Sequence, residues 1–431
     1  FDVTGLATSA VATATLAAAQ LHAARCGAEV PGVTLDSTQA CAAFQAESRL
    51  TPVGWELPPL WDPIAGNYRS ADGWIRLHTN YAHHRAAVHH VLGAQDREAV
   101  HAAVACRPAE EIESAVVAAG GAAAVMHTRE EWLASPAGQA TRRAPLLAID
   151  EHHSDAPVAW ARTEPSLPFS GIRVLDLTRV IAGPVATKFL AGYGADVLRI
   201  DPPGFQEVAS LLPETTVGKR RAAVDLATPV GRRVFEALVA EAPVMVTGYR
   251  PDALARYGYD DQRLRQLNPS LITARLDAYG WTGPWRDRRG FDSLVQMSCG
   301  IAAAGAAAYG RDEPTPLPVQ ALDHATGWLL AAAVARALAR QLTASVATGI
   351  RGSLIATANL LYDLAPPDEP LTATGQPAIE LEETPTEWGP ALRTPVPGRI
   401  AGVRPRWVHQ AGRLGRHRAE WRERIENGPT A

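Results

Sequence analysis

Along residues 171–204, GIRVLDLTRVIAGPVATKFLAGYGADVLRIDPPG, the spacing of apolar positions changes twice. Ile172, Val174 and Leu175 form a run too short for a helix, and Ala182-Gly183-Pro184 breaks it and lets a helix begin. From Val185 to Tyr193 apolar residues recur at helical spacing until Gly192 and Gly194 stop them. Val197-Leu198-Arg199-Ile200 then makes a second strand that ends in the turn Asp201-Pro202-Pro203-Gly204. The pattern predicts a βαβ unit. Such units close right-handed and bind ligands beyond the carboxyl ends of their strands, so residues 180–184 and 201–204 should face a pocket. No GxGxxG occurs here, so a dinucleotide is not the expected ligand.

Upstream, the pattern predicts an alanine-rich helix over 5–25, a polar break and a second helix over 38–47. Residues 67–80 read as a strand pair around the turn Ala71-Asp72-Gly73. Helices follow over 82–92, 96–104 and 109–119, then a buried strand over 122–126 and a helix over 128–134. Residues 143–168 carry charges and Pro157, Pro165 and Pro168, and read as a linker. Downstream come a helix over 229–240 with proline in its first turn, a strand over 244–247, a helix over 251–267 with internal turns, and a strand over 270–276. Alternation of this kind indicates a parallel sheet. After Asp323-His-Ala-Thr-Gly327 a helix runs to about residue 342, with a break at Thr348-Gly349 and a helix over 354–361. Asp2-Val-Thr-Gly5 and the residues after it look like a diverged second copy of that stretch, although two unrelated helical hairpins would read similarly. Residues from 366 onward are proline-rich with little periodicity.

Composition narrows the class. A 431-residue chain can bury a full core in two or three domains, and 47% hydrophobic with 20% charged residues describes an ordinary globular protein. A net charge of −4 argues against a nucleic-acid partner. Cys26, Cys41, Cys106 and Cys299 show no CxxC, so neither a zinc site nor a disulfide framework is signalled, and a reducing cytoplasm fits best. From Phe1 no basic region precedes an apolar core, so no signal peptide is predicted, and alanine-rich runs such as 301–308 are too short for membrane spans.

The pattern TRVIAGP, helix, GYGADVLRIDPPG resembles the opening of the family III CoA-transferases, the group that includes carnitine and formyl-CoA transferases and α-methylacyl-CoA racemase. The likeness continues through residues 218–238, 246–260, 267–285, 290–302 and 319–327. It implies an α/β fold: an open parallel Rossmann-like sheet with flanking helices, plus a smaller α+β domain. Residues 67–134 resemble that smaller domain, yet here they precede the larger one. This implies a permuted chain or the tail of a duplicated ancestor fused to a new head. The expected division is a helical hairpin and small domain over 1–142, a linker over 143–168, a CoA-binding catalytic domain over 169–365 and a closing tail over 366–431. Residues 391–403 resemble the segment by which family members run back across the larger domain, and the resemblance also implies a homodimer.

Asp323 is the first candidate for chemistry. Its position ahead of a long helix makes it an N-cap by residue type alone and should favour the ionised carboxylate. The resemblance instead makes it the nucleophile, because the family's aspartate stands before a glycine four places on, here Gly327. His324 beside it is a candidate base, but adjacent helical residues point apart, and a solvent or interface role is preferred. Family racemases place a histidine where Phe291 stands here, so two-base proton exchange lacks a partner.

For coenzyme A the resemblance points to Arg256 and Arg289, whose guanidiniums suit phosphate oxygens. It also points to the backbone of Ala223, Val224 and Leu226 and of Thr247, Tyr249 and Arg250 around the adenine. Ile181 replaces a polar residue of some relatives and implies a more apolar acyl pocket. The glycine-rich loop that covers the aspartate in some transferases has no counterpart. The cluster His78, His83, His84, His89 and His90 lacks metal-ligand spacing and is expected to be solvated, so no metal is expected. Asp2, with its glycine three residues on, is expected to be a relic. The expected function is transfer of CoA between an acyl-CoA and a carboxylic acid. A CoA-dependent lyase, a racemase of the same group and a non-catalytic acyl-CoA-binding scaffold are the alternatives.

Overall fold

The computed structural model describes all residues except 157, 159, 161–164, 251–252, 365–378 and 423–431. Its centre is a seven-stranded sheet. In spatial order the strands are Leu147–His153, Val346–Ser353, Ile272–Asp277, Val244–Thr247, Arg173–Leu177, Asp196–Asp201 and Lys219–Ala223. All run parallel except the first, which is antiparallel to its neighbour. Strand Arg173–Leu177 is buried along its whole length, as expected of a parallel strand covered on both faces. On one face, helices Ala182–Gly192 and Ala321–Ala344 pack into the core. On the other, helices Pro229–Glu241 and Asp261–Leu267 cover Leu175, Leu198 and Met245. The chain runs outward from strand Arg173–Leu177 to one side and then resumes at Val244–Thr247 on the other. That reversal opens a crevice beyond the carboxyl ends of these two strands.

A smaller three-stranded antiparallel sheet, Gly66–Arg69, Trp74–Leu77 and Ala123–Val125, packs its own helices around Tyr68, Ile75, Leu77 and Val100. It docks on the larger body where Ala122 and Ala124 meet Leu294 and Met297, and where the His78 ring stacks on Phe291 with centroids 3.7 Å apart.

The N-terminal helix Val3–Cys26 does not join this small unit. Its alanine face packs along the Ala321–Ala344 helix inside the main core. Each of these 24-residue helices is followed by a strand and a capped helix: Val33–Thr34 and Ser37–Ala43 after the first, Val346–Ser353 and Leu354–Asp363 after the second. Asp2 caps the first helix by accepting a hydrogen bond from the Gly5 amide at 2.7 Å.

Several elements differ from the sequence reading. Thr348-Gly349 is not a break but the middle of strand Val346–Ser353, where Gly349 pairs with Thr273. Part of the expected linker is strand Leu147–His153, whose exposed charged side chains suit a solvent-facing edge; Pro157 lies outside the described residues. The helix expected from residue 251 reduces to a 3-10 turn, Ala255–Tyr257, and helix Asp261–Leu267, with 251–252 outside the described residues. His78 and His84 are buried instead of solvated, because the docking of the small unit encloses them. In the tail, Ala391–Arg393 pairs with Glu382–Thr384 and with Thr51–Pro52. The Tyr193 hydroxyl donates to the Gly398 carbonyl at 2.9 Å, tying the tail across the larger body; residues 366–378 and 423–431 of that expected tail are not described.

Candidate active site

At the crevice lies a cleft of about 410 Å³ lined by carboxyl ends of the parallel strands, by the small unit and by Asp323. The loop after strand Arg173–Leu177 delivers Arg179, Val180 and Ala182, and the turn after Asp196–Asp201 delivers Pro202. Val180 has φ of +63°, a conformation a β-branched residue seldom adopts, and its amide donates to Glu207 at 3.2 Å. Arg179 lies over the Phe205 ring at 3.5 Å and over the Tyr249 ring at 4.8 Å.

A buried ionic network underlies this loop. Lys219 meets Asp176 at 3.0 Å, Arg199 bridges Asp201 at 2.9 Å and Glu207 at 3.1 Å, and the Tyr81 hydroxyl reaches Glu207 at 2.6 Å. Despite burial, the Lys219 and Arg199 cations hold the Asp176 carboxyl below its ordinary range, and Arg199 does the same for Glu207. Each charge is paired, which is the condition for keeping it in the interior.

Asp323 is the third residue of its helix, not the cap. The N-terminal amides are already used: those of Leu322 and Asp323 donate to one carboxylate oxygen of Asp292, at 2.8 and 3.0 Å. Gln296 ties Asp292 in place and accepts from the Leu317 amide at 2.8 Å. The expectation of a helix end favouring ionised Asp323 is therefore reversed. Asp323 is 7% exposed, and among the described residues no donor reaches its carboxyl. Burial, followed by the neighbouring Asp292 and Glu47 carboxylates, pushes it well above the ordinary carboxylate range. Asp292 is pushed up to about 6, mainly by burial, with its three donors opposing the shift.

Gly327 explains the glycine four places on. A Cβ there would stand 2.4 Å from the Ala182 carbonyl oxygen and 2.8 Å from the Val185 Cβ, so only glycine lets the two helices approach this closely.

Among residues expected at the site, Asp323, Val224, Leu226, Tyr249, Arg250, Arg256, Arg289 and Phe291 line the cleft. Ala223 and Thr247 end their strands beside it without lining it. Ile181 is buried behind the lining at 6% exposure, between Val180 and Ala182. His324 points away: its ring is buried, stacks on Phe44 and bonds Glu47 at 3.0 Å, which excludes a solvent role. Arg289 is pushed down by burial and by the nearby Arg250 and Arg256 charges, so three guanidiniums from two segments converge on one region. The Arg289 side chain donates to the Gly120 carbonyl at 2.8 Å.

Sequence reasoning missed Arg179, although it stands inside the TRVIAGP motif, and Asp292, one residue after Phe291. It also missed the wall given by Tyr81, His83 and His84, which no local pattern marks because it forms by docking of the small unit. Among the described residues no three His, Cys, Asp or Glu side chains are grouped to hold a metal, and no helix is long and apolar enough to cross a membrane.

The chain is 32% identical over 231 residues to acetyl-coenzyme A transferase nodX of Hypoxylon pulicicidum, covering 51% of this chain and 39% of that protein. It is 34% identical over 189 residues to the probable fatty acyl-CoA transferase Rv3272 of Mycobacterium tuberculosis, covering 41% and 48%. To succinate–glutarate CoA-transferase of Agrobacterium fabrum it is 35% identical over 189 residues, covering 40% and 47%. The matches thus span less than half the length of each of these relatives. The crystal structure of Rv3272 aligns with a TM-score of 0.41 and 32% identity over 46% of this chain and 58% of that one. Residues 169–390, more than half of the chain and the part that builds most of the cleft, match CoA-transferase family III, and the protein belongs to that family.

Proposed function

We propose that this protein transfers CoA between an acyl-CoA and a carboxylic acid, with Asp323 as the group that carries the acyl and then the CoA. The observation that supports this reading is one cleft lined by Asp323 together with Arg250, Arg256 and Arg289. Guanidiniums converging from separate segments suit the phosphates of CoA. A carboxylate in the same cleft suits the thioester at the other end of that ligand.

An oxygen of the Asp323 carboxylate attacks the thioester carbon, the carbon–sulfur bond breaks, and CoA leaves as thiolate with Asp323 held as a mixed anhydride. The thiolate then attacks the Asp323 carbonyl carbon and expels the donor acid, leaving an aspartyl-CoA thioester. The acceptor acid reverses both steps and leaves as the new acyl-CoA. A carboxylate is a weak nucleophile in water, so holding the reactants together must supply much of the gain, about 7–11 kcal/mol in favourable cases. Asp323 reacts only when ionised, and the loss of a proton from a buried carboxyl flanked by Asp292 and Glu47 limits the rate at low pH.

We also take the small antiparallel unit as one domain, the large sheet together with helix Val3–Cys26 and strand Leu147–His153 as the catalytic unit, and the active species as a homodimer. Exchange of isotope between acyl-CoA and a panel of carboxylic acids tests the reading. Wild-type exchange that disappears in Asp323→Ala is expected; exchange surviving that substitution, or CoA binding with no exchange to any acid, contradicts it.

A further inference from the structure

Residues 37–52 lie outside the stretch that matches the family, yet they reach the turn that carries Asp323. Phe44 stacks on the His324 ring with centroids 5.2 Å apart and planes 23° apart. Glu47, on the short helix Ala46–Arg49, accepts from or shares a proton with His324 Nε2 at 3.0 Å. The His324 ring is 1% exposed and the Glu47 side chain 15%. His324 follows Asp323 directly, so whatever fixes its ring also fixes the first turn of helix Ala321–Ala344.

We propose that Phe44 and Glu47 are positioning residues of the active site: together they clamp His324, hold the turn that presents Asp323, and place a second carboxylate beside Asp292 next to the reacting one. This rests on the reading of Asp323 given above. The charged groups around Asp323 come from three elements. Asp292 stands on helix Asp292–Ser298, and Glu47 on Ala46–Arg49 with His324 as its partner. Lys188, on helix Ala182–Gly192, acts on Glu47 and is itself paired with Glu214. Of these, Asp292 and Glu47 act on Asp323 as like charges, and both disfavour its ionised form.

The test is the pH dependence of kcat/KM for CoA exchange, which reports groups of the free enzyme. Glu47→Gln keeps the shape and a hydrogen-bonding group but removes the charge. Its acid limb should move to lower pH by about half a unit or more, whereas Glu47→Asp, which keeps the charge, should stay near the wild-type midpoint. Phe44→Leu should lower kcat several-fold with KM for acyl-CoA little changed. An unmoved or raised midpoint in Glu47→Gln, or an equal shift in Glu47→Asp, overturns the proposal while leaving Asp323 as the nucleophile. Exchange independent of Asp323 overturns both.

Discussion

Asp323 combines the two properties its proposed task requires, and they conflict. Burial removes water that would hydrolyse an anhydride, but burial together with Asp292 and Glu47 also holds the proton on. The acid limb of kcat/KM should therefore lie above the ordinary carboxylate range; a limb at or below that range would show that Asp323 is not the titrating group. The same shift has a cost in stability. Between the pKa of the unfolded chain and the higher value in the fold, the native state binds the extra proton. This stabilising contribution is therefore full at low pH and is lost as pH rises through the folded pKa. Asp323→Asn, which cannot ionise, should raise the melting temperature at neutral pH while abolishing exchange, as a calorimetric scan beside the isotope assay would show. At this scale the sequence motifs pointed to Asp323, Arg256 and Arg289, and these line one cleft. It was silent where a side chain's partner arrives from far away: nothing near His324 announces Glu47, 277 positions earlier.

Between elements, close approach decides what fits. Helix Ala321–Ala344 is held against Ala182–Gly192 by the absence of a side chain at Gly327. The helix Ala182–Gly192 is in turn aimed by the loop through Val180, whose positive φ is anchored at Glu207. Gly327→Ala gains a little helix propensity but drives its Cβ against the Ala182 carbonyl. It should destabilise the fold by about 1–3 kcal/mol, read by denaturant unfolding, and lower exchange by moving Asp323. Four strands of the large sheet, around 172–175, 197–200, 244–247 and 270–276, were readable because their short apolar runs are punctuated by Gly and Pro. Thr348-Gly349 was misread because a central strand that carries Thr, Gly and Arg lacks the apolar run that usually marks one. Its place in the sheet comes from backbone pairing with Ile272–Asp277 and Leu147–His153.

Over the whole molecule, the cleft is assembled from parts distant in the chain: the small unit gives Tyr81, His83 and His84, loops beyond the sheet's strands give Arg179, Arg250 and Arg289, and the long helix gives Asp323. Helix Val3–Cys26 packs in the core along that helix, and each of the two is followed by a strand and a capped helix. If the arginines hold CoA phosphates, Arg289→Ala should weaken CoA binding by about 1.5–3 kcal/mol, ten- to a hundredfold in Kd, and flatten the dependence of Kd on salt. Calorimetric titration at two ionic strengths measures both. The order of the units could be read from the sequence, but their docking could not, because the His78 and Phe291 stack that joins them spans 213 positions. The central claim concerns one covalent bond. Enzyme turning over an acyl-CoA should be quenched with hydroxylamine and the peptide containing residue 323 weighed. A hydroxamate on Asp323 is predicted; continued exchange with an unmodified Asp323, or with the label on another residue, would contradict the account.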